Sequence, residues 1–374
     1  MPSRRTTIAT GIAGAGAAAG AGALFAQARK RDDGEDLAHP DGTHPWGYSP
    51  DQVSSAIADD GTVLHVEIDE PKGSTRKGRP TVVLSHGFTL DLTAWTALRR
   101  ALVLAGYRVV TYDQRNHGLS SHGALEHCTI EQLGRDLRSV IDAHVPEGPL
   151  VLVGHSMGGM TIMSFTGHYP ELVADRVRAV ALVSTSAGGM GVVSVGLGKV
   201  VDALIVRLGP GLLRQIGSRR GAWGALRRVG RDAERASVQR YGFGRKADPE
   251  TLDYFSDVIF STPLETIAAL LPHLDDLDVR DALPGLAQTE VLVLGGSRDQ
   301  LTPPSHSDKI VELVPHSVHV VVPRAGHLLP MERPDVVESA VLALIERGVA
   351  ATGSAGSAGQ RRARGDAVDE EAKA

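Results

Sequence analysis

The chain has 374 residues, 42% of them hydrophobic, with a formal net charge of -5 and a sequence pI near 6.3. That length supports one large core with an insertion, or two modest domains, and the mild acidity argues against a polyanionic partner such as nucleic acid. Cys128 is the single cysteine, so no intrachain disulfide can form and packing must hold the fold.

The N-terminus differs in composition from the rest of the chain. Arg4 and Arg5 precede an uncharged run from Thr6 to Ala28, dominated by Ala and Gly, and Arg29-Lys30-Arg31 closes it. Residues 1–31 therefore read as a targeting segment or a membrane anchor, outside the fold. The paired arginines after Ser3 resemble a twin-arginine export signal, although Thr7 stands where such signals prefer a large apolar residue. About 20 apolar residues would also reach across a bilayer. Both readings place the protein at the cell envelope, with membrane association through this segment; a disordered leader on a cytoplasmic protein is the alternative.

From Val53 onward short β-branched runs alternate with amphipathic stretches, the pattern of a mostly parallel sheet with helices on both faces. Val53 to Ile57 and Thr62 to Ile68, joined by Asp59-Asp60-Gly61, predict an antiparallel hairpin. Buried strands are expected next at Thr81 to Ser85, Arg108 to Tyr112, Leu150 to Val153, Ala179 to Ser184, Val291 to Gly295 and Val318 to Val322, which makes eight strands in all. Helices are expected over Ala94 to Ala105, Ile130 to Ala143, from Ser156 onward, over Ser307 to Val314 and over Val336 to Arg347. Thr129 with Gln132 predicts a capping box on the second helix, and Cys128 just before it reads as a small apolar residue.

One connection is too long for an ordinary link between strands. The chain between Ser184 and Val291 is a domain's worth of residues. Residues 186–287 therefore read as a helical cap inserted between two core segments, 50–185 and 288–348. Val200, Val201, Leu204, Ile205 and Leu208 share one helical face there, followed by an arginine-rich stretch from Arg207 to Arg231. That stretch is either a solvated cap surface or a contact for an anionic headgroup or substrate. Residues 350–374, rich in Gly, Ala and Ser and then in mixed charge, read as a disordered tail.

The chemistry-bearing motif comes directly after the strand Leu150-Val151-Leu152-Val153. The chain continues Gly154-His155-Ser156-Met157-Gly158-Gly159 into a helix-compatible stretch, which is a nucleophile elbow. A serine on such a strained turn has its hydroxyl pushed clear of the backbone. Glycines two residues before and after it let the neighbouring strand and helix come close. The turn also aims the Met157 N–H and the helix N-terminus at the place where an oxyanion would form.

With this motif the sequence resembles the α/β-hydrolase superfamily from about Val53 to Arg347. The resemblance implies the α/β-hydrolase fold and further site residues. His86-Gly87-Phe88 is similar to the family's oxyanion turn, making the Phe88 N–H the second donor beside Met157. Tyr112 to Ser120 is similar to the loop after the next strand, with Asn116 where glycine is usual; Asn tolerates a left-handed backbone, and Asp113 and Arg115 there read as structural. Asp299, after Gly295-Gly296-Ser297-Arg298, and His327, in Ala325-Gly326-His327, match the family's order of serine, acid, histidine. Their chemistry is mutually required, because serine needs a neutral imidazole to take its proton and the imidazole needs a buried carboxylate to orient it.

Serine at the elbow disfavours the epoxide hydrolases and haloalkane dehalogenases of the superfamily, which use aspartate there. The expected activity is hydrolysis of a carboxylic ester, of a small molecule or a lipid, through an acyl-enzyme and without a cofactor or metal. Cofactor-free haloperoxidase or perhydrolase, thioesterase and acyltransferase chemistry share the same triad and remain alternatives. So does a non-catalytic binding protein, against which the intact set of residues argues.

Overall fold

A computed structural model describes residues 46–71, 78–189 and 220–351. The leader 1–31, the apolar face from Val200 to Leu208, and the tail beyond 351 lie outside the described residues.

The hairpin comes first. Strand β1 (Gln52–Ile57) pairs antiparallel with β2 (Val63–Asp69), and the turn between them closes through Gly61 N–H to Ala58 O at 2.9 Å, with Gly61 at φ 85°. Strands β3 (Thr81–Ser85), β4 (Val109–Tyr112), β5 (Leu150–His155), β6 (Val177–Val183), β7 (Glu290–Gly296) and β8 (Val318–Val322) complete one eight-stranded sheet in the order β1-β2-β4-β3-β5-β6-β7-β8. Strand β2 is antiparallel to both of its neighbours, and all the other pairs are parallel. Central strands are buried on both faces, so their sequences are continuous apolar runs rather than alternations.

Helices cover both faces. On one, α2 (Ile130–His144) and α3 (Met157–His168) join the core through Leu133, Leu137, Val140, Met160 and Phe165. On the other, α1 (Thr96–Leu104) and the last helix, 334–351, pack Leu98, Leu102, Val337, Val341 and Leu344 against the opposite residues of the same strands. Each such side chain, fully buried, stabilises the fold by about 1.5–3 kcal/mol before entropy is counted. The connection from β3 leads toward β4 on one side, while β5 lies on the other. At this switch point the carboxyl ends of β3 and β5, paired as far as Ser85 and Gly154, lead into the turns that follow each strand.

Two expectations need correction. The predicted helix Ser307 to Val314 is α8 (Pro304–Leu313), starting earlier because Pro304 suits a first helical turn. Only half of the capping box forms: Thr129 Oγ1 accepts the Gln132 N–H at 3.1 Å, but the Gln132 side chain turns away to Asp59 and Asp136. Among the described residues the inserted segment contains α5 (Arg220–Gly242), α6 (Pro249–Ser261) and α7 (Leu264–Asp275). Leu270 and Leu274 of α7, with Leu277, Leu283 and Leu286 after it, join the main core. A short helix that the sequence pattern does not predict, α4 (Pro170–Arg176), comes after α3.

A buried polar layer joins the hairpin to the sheet. Arg115, fully buried, reaches Asp136 on α2 with Nε at 2.6 Å and Nη2 at 2.7 Å, and Asp60 in the hairpin turn with Nη1 at 2.8 Å. Arg115 and then His127 hold the Asp60 carboxyl far below the usual carboxylate range against the effect of burial. Asp113 accepts the Leu92 and Leu119 N–H groups, each at 2.8 Å, so both loop residues expected to be structural are so. Asn116 takes the left-handed backbone, φ 62°, and its Nδ2 donates to the buried Cys128 sulfur at 2.9 Å. Replacing Arg115 by Met should lower unfolding stability by about 3–5 kcal/mol, since it leaves a buried carboxylate without its partner. Chemical denaturation of the purified variant measures this, and a loss under about 1 kcal/mol would mean that the network is dispensable.

His117, in the same loop, donates from Nδ1 to Arg115 O at 2.9 Å. Burial, and then neighbouring His86, push its pKa down to about 3. From the ordinary histidine value of about 6.5 down to that point, the unfolded chain binds a proton that the folded chain does not. Its contribution to stability is thus present above about pH 6.5 and is lost as pH falls. His117→Asn should accordingly be destabilised at pH 7, with a deficit that shrinks by about 1.4 kcal/mol per pH unit between about pH 6 and pH 4. A deficit constant over that range would show that His117 takes up its proton in the folded state.

Candidate active site

The elbow is built by close backbone approach. Ser156 sits between β5 and α3 at φ 51°, ψ -119°. A Cβ on Gly158 would lie 2.1 Å from Ser85 O, and one on Gly154 would lie 2.4 Å from Gly158 O, so no side chain fits at either place. The strained turn is held by Ser156 N–H to Val183 O at 2.9 Å and by Thr185 Oγ1 to Ser156 O at 2.7 Å.

The three side chains expected to work together are brought together. His327 Nε2 lies 2.9 Å from Ser156 Oγ, and its Nδ1 lies 2.9 Å from Asp299 Oδ2. Ser156, Asp299 and His327 are 9%, 4% and 5% exposed, so this hydrogen-bonded chain is shielded but not sealed. Asp299 also accepts the N–H groups of Leu301 and Thr302 at 2.9 and 2.8 Å and the Thr302 hydroxyl at 2.9 Å. Burial works to raise its pKa, but the charge of His327 and the hydrogen bonds from His327 and Thr302 together outweigh it and lower the pKa. The carboxylate therefore stays ionised beside the imidazole, which fixes Nδ1 as the protonated nitrogen and leaves Nε2 to accept from serine.

The two expected oxyanion donors lie at the ends of neighbouring strands. Met157 opens α3, where an N–H has no acceptor earlier in its own helix. Phe88 and Thr89 are the central residues of a turn closed by Leu90 N–H to Gly87 O at 3.2 Å, so the Phe88 N–H takes no part in that bond. His86 fixes the turn's entry: Nδ1 donates to Gly87 O at 2.8 Å, and Nε2 accepts the Gln114 N–H at 2.9 Å. Gln114 in turn donates to His86 O at 2.5 Å and accepts from Thr161 Oγ1 at 2.8 Å. Burial pushes the pKa of His86 down to about 4, so it is neutral at pH 7.

Several supporting residues carry no signal that sequence reasoning picked up. Thr302 lies three residues after Asp299, and its bond to that carboxylate is a local turn that a threonine at this spacing could have suggested. His155 is different. Its Nε2 donates to His327 O at 2.9 Å across 172 residues, which no local pattern reports. Among the described residues no group of three or more His, Cys, Asp or Glu side chains is arranged to hold a metal ion.

Comparison with known proteins agrees with this architecture. The alpha/beta hydrolase fold family matches residues 80–334. The chain is 27% identical over 280 residues to the dihydrolipoyllysine-residue acetyltransferase component of an acetoin cleaving system from Pseudomonas putida, covering 72% of this chain and 65% of that one. It thus spans less than two thirds of that relative's length. It is also 27% identical over 268 residues to an sn-1-specific diacylglycerol lipase of Mus musculus, covering 71% of this chain and 81% of the lipase. Among solved structures, the enol-lactonase from Burkholderia xenovorans superposes with a TM-score of 0.61 at 27% identity, covering 78% of this chain and 100% of that one. A family match over most of the chain, on an eight-stranded sheet of this order, identifies the protein as a member of the α/β-hydrolase fold family.

Proposed function

We propose that the chain hydrolyses a carboxylic ester through an acyl-enzyme on Ser156. The observation that carries this reading is the unbroken chain of hydrogen bonds from Ser156 Oγ through His327 to Asp299, at 2.9 Å and 2.9 Å. His327 Nε2 takes the serine proton as Oγ attacks the ester carbonyl carbon. The carbonyl oxygen, now an oxyanion, accepts from the Phe88 and Met157 N–H groups. The imidazolium then gives its proton to the leaving alkoxide as the carbon–oxygen bond breaks, and the alcohol departs. Water, deprotonated by the same imidazole, attacks the acyl-enzyme, and serine leaves with the proton returned to it.

Asp299 orients and charge-balances the ring without itself being protonated. The names of the similar lipase and enol-lactonase both denote cleavage of ester bonds, which supports the reading. A cap over the carboxyl ends of β3 and β5 would decide which acyl chains enter. Ser156→Ala should lower turnover of a p-nitrophenyl ester at least about a thousandfold with the fold retained. Turnover within a few-fold of the parent would remove the serine mechanism.

We also place the chain at the cell envelope on the strength of residues 1–31. Among the described residues no helix is long and apolar enough to cross a membrane, so anchoring or export rests on the leader. Deleting Met1 to Arg31 should move the protein into the soluble cytoplasmic fraction at undiminished specific activity. Recovery of the full chain from that same fraction would favour a leader without a targeting role.

A further inference from the structure

His327 sits on a short loop whose backbone is tied down on three sides. Gly326 N–H donates to Glu332 Oε2 at 2.7 Å, His327 O accepts from His155 Nε2 at 2.9 Å, and Leu328 N–H donates to Gly242 O at 2.8 Å. Glu332 ends α9 (Leu329–Glu332), the turn just after His327, and its side chain is 5% exposed. The same carboxylate reaches a second stretch of chain. Its Oε2 accepts the Gly244 N–H at 3.0 Å and its Oε1 the Arg245 N–H at 3.0 Å.

Gly242 to Arg245 belongs to the turn between α5 and α6, inside the segment inserted between β6 and β7. That turn and the end of α5 also touch the loop of Asp299, through Arg298 Nη1 to Gly244 O at 2.8 Å and Gln300 Nε2 to Arg240 O at 2.9 Å. Backbone meets backbone here. A Cβ on Gly244 would lie 2.4 Å from Arg324 O, and one on Gly326 would lie 2.5 Å from Gly244 N.

Three N–H donors from two separate segments thus converge on one buried carboxylate, and one of them belongs to the residue before His327. Hydrogen bonds to an ionised acceptor are short and about twice as strong as neutral ones, and only an acid offers acceptors on both oxygens. We propose that Glu332 is a positioning residue: it locks the 242–245 turn of the inserted segment onto the His327 loop, so that the imidazole stays in line with Ser156 while that segment is seated. The proposal rests on His327 being the base of the proposed hydrolysis. It makes the seating of the inserted segment a condition of proton transfer.

The test uses the full chain carrying Glu332→Gln. Glutamine keeps the size but turns an NH2 group toward donors that need an acceptor. Turnover is counted per site titrated to completion with a fluorophosphonate, which separates slow enzyme from unfolded enzyme. The second reading is the downfield proton resonance of the His327 Nδ1–H held by Asp299, which needs no activity. The expected result is a fall in kcat per titrated site of at least about tenfold, with KM for an acetyl ester changed less than about threefold and the resonance shifted or broadened. An unchanged kcat per site and an unchanged resonance, with only the melting temperature lowered, would overturn it and leave Glu332 as a stabilising contact.

Gly244→Ala keeps the glutamate but forces the turn off it, and should move the resonance in the same way. Where Glu332→Gln does not fold, a parent-like resonance in Gly244→Ala overturns the proposal. A parent that shows the resonance yet turns over no ester would instead sink the hydrolytic reading, and the resonance in the two variants would still decide the positioning role.

Discussion

The left-handed backbone at Ser156 is the constraint on which the rest of this site depends. At φ 51° a side chain larger than glycine is strained, at a cost of about 1–3 kcal/mol, and such a residue persists only when its surroundings over-determine it. Here they do. The strand before it is paired on both sides, the helix after it packs in the main core, and the serine's own N–H and carbonyl are taken by Val183 and by Thr185. At this turn the Ser156 hydroxyl meets His327 Nε2 at 2.9 Å, and Met157 opens the helix that follows. Absence of a side chain at Gly158 lets the end of β3 approach, and absence of one at Gly154 lets the start of α3 come close, so the proposed nucleophile and oxyanion donors share one piece of close packing.

Much of this was legible in the sequence because it is local. The hairpin was marked by Asp-Asp-Gly between two β-branched runs, and the central strands by apolar runs too short for helices. Ser156 was marked by glycines on a strand-to-helix turn, and the left-handed Asn116 through the family resemblance, which has glycine at that place. Boundaries were less legible. The sequence pattern ended β5 at Val153, but the strand runs to His155, because pairing with β6 continues through glycine and histidine whose own propensities do not favour a strand. Helix α4 has only seven residues, under two turns, so no periodicity could develop, although Pro170 at its start was a usable signal.

Contacts between distant parts of the chain were not legible. The pairing of His155 with His327 O, the fork of Arg115 across Asp60 and Asp136, and the convergence of Gly244, Arg245 and Gly326 on Glu332 each join segments far apart in sequence. Nothing in local composition distinguishes Glu332 from any other glutamate beside a helix. The same holds for the end of the inserted segment. Leu270, Leu274 and Leu277 repeat as an amphipathic helix, but the pattern does not say whether that face meets a cap or the body of the protein, and in the structure it meets the body.

These supports divide the site into two mechanically different halves. Ser156, Met157 and Phe88 hang from β5 and β3, in the middle of the sheet, and their surroundings are backbone ladders and the polar fixings of His86 and Gln114. Asp299 and His327 ride on the loops after β7 and β8, near the sheet's other edge, and those loops are the ones that Gly242, Gly244 and Arg240 touch. The inserted segment also reaches the Phe88 turn, because Val238, Phe243, Leu252 and Phe255 share an apolar cluster with Leu90 and Ala94, so a displacement of that segment would bear on both halves. Alignment of His327 Nε2 on Ser156 Oγ requires both halves to hold position to within a few tenths of an ångström, since hydrogen bonds weaken steeply with distance and angle. In the proposed mechanism, the inserted segment therefore bears on proton transfer through the 242–245 turn and on the oxyanion turn through Leu90.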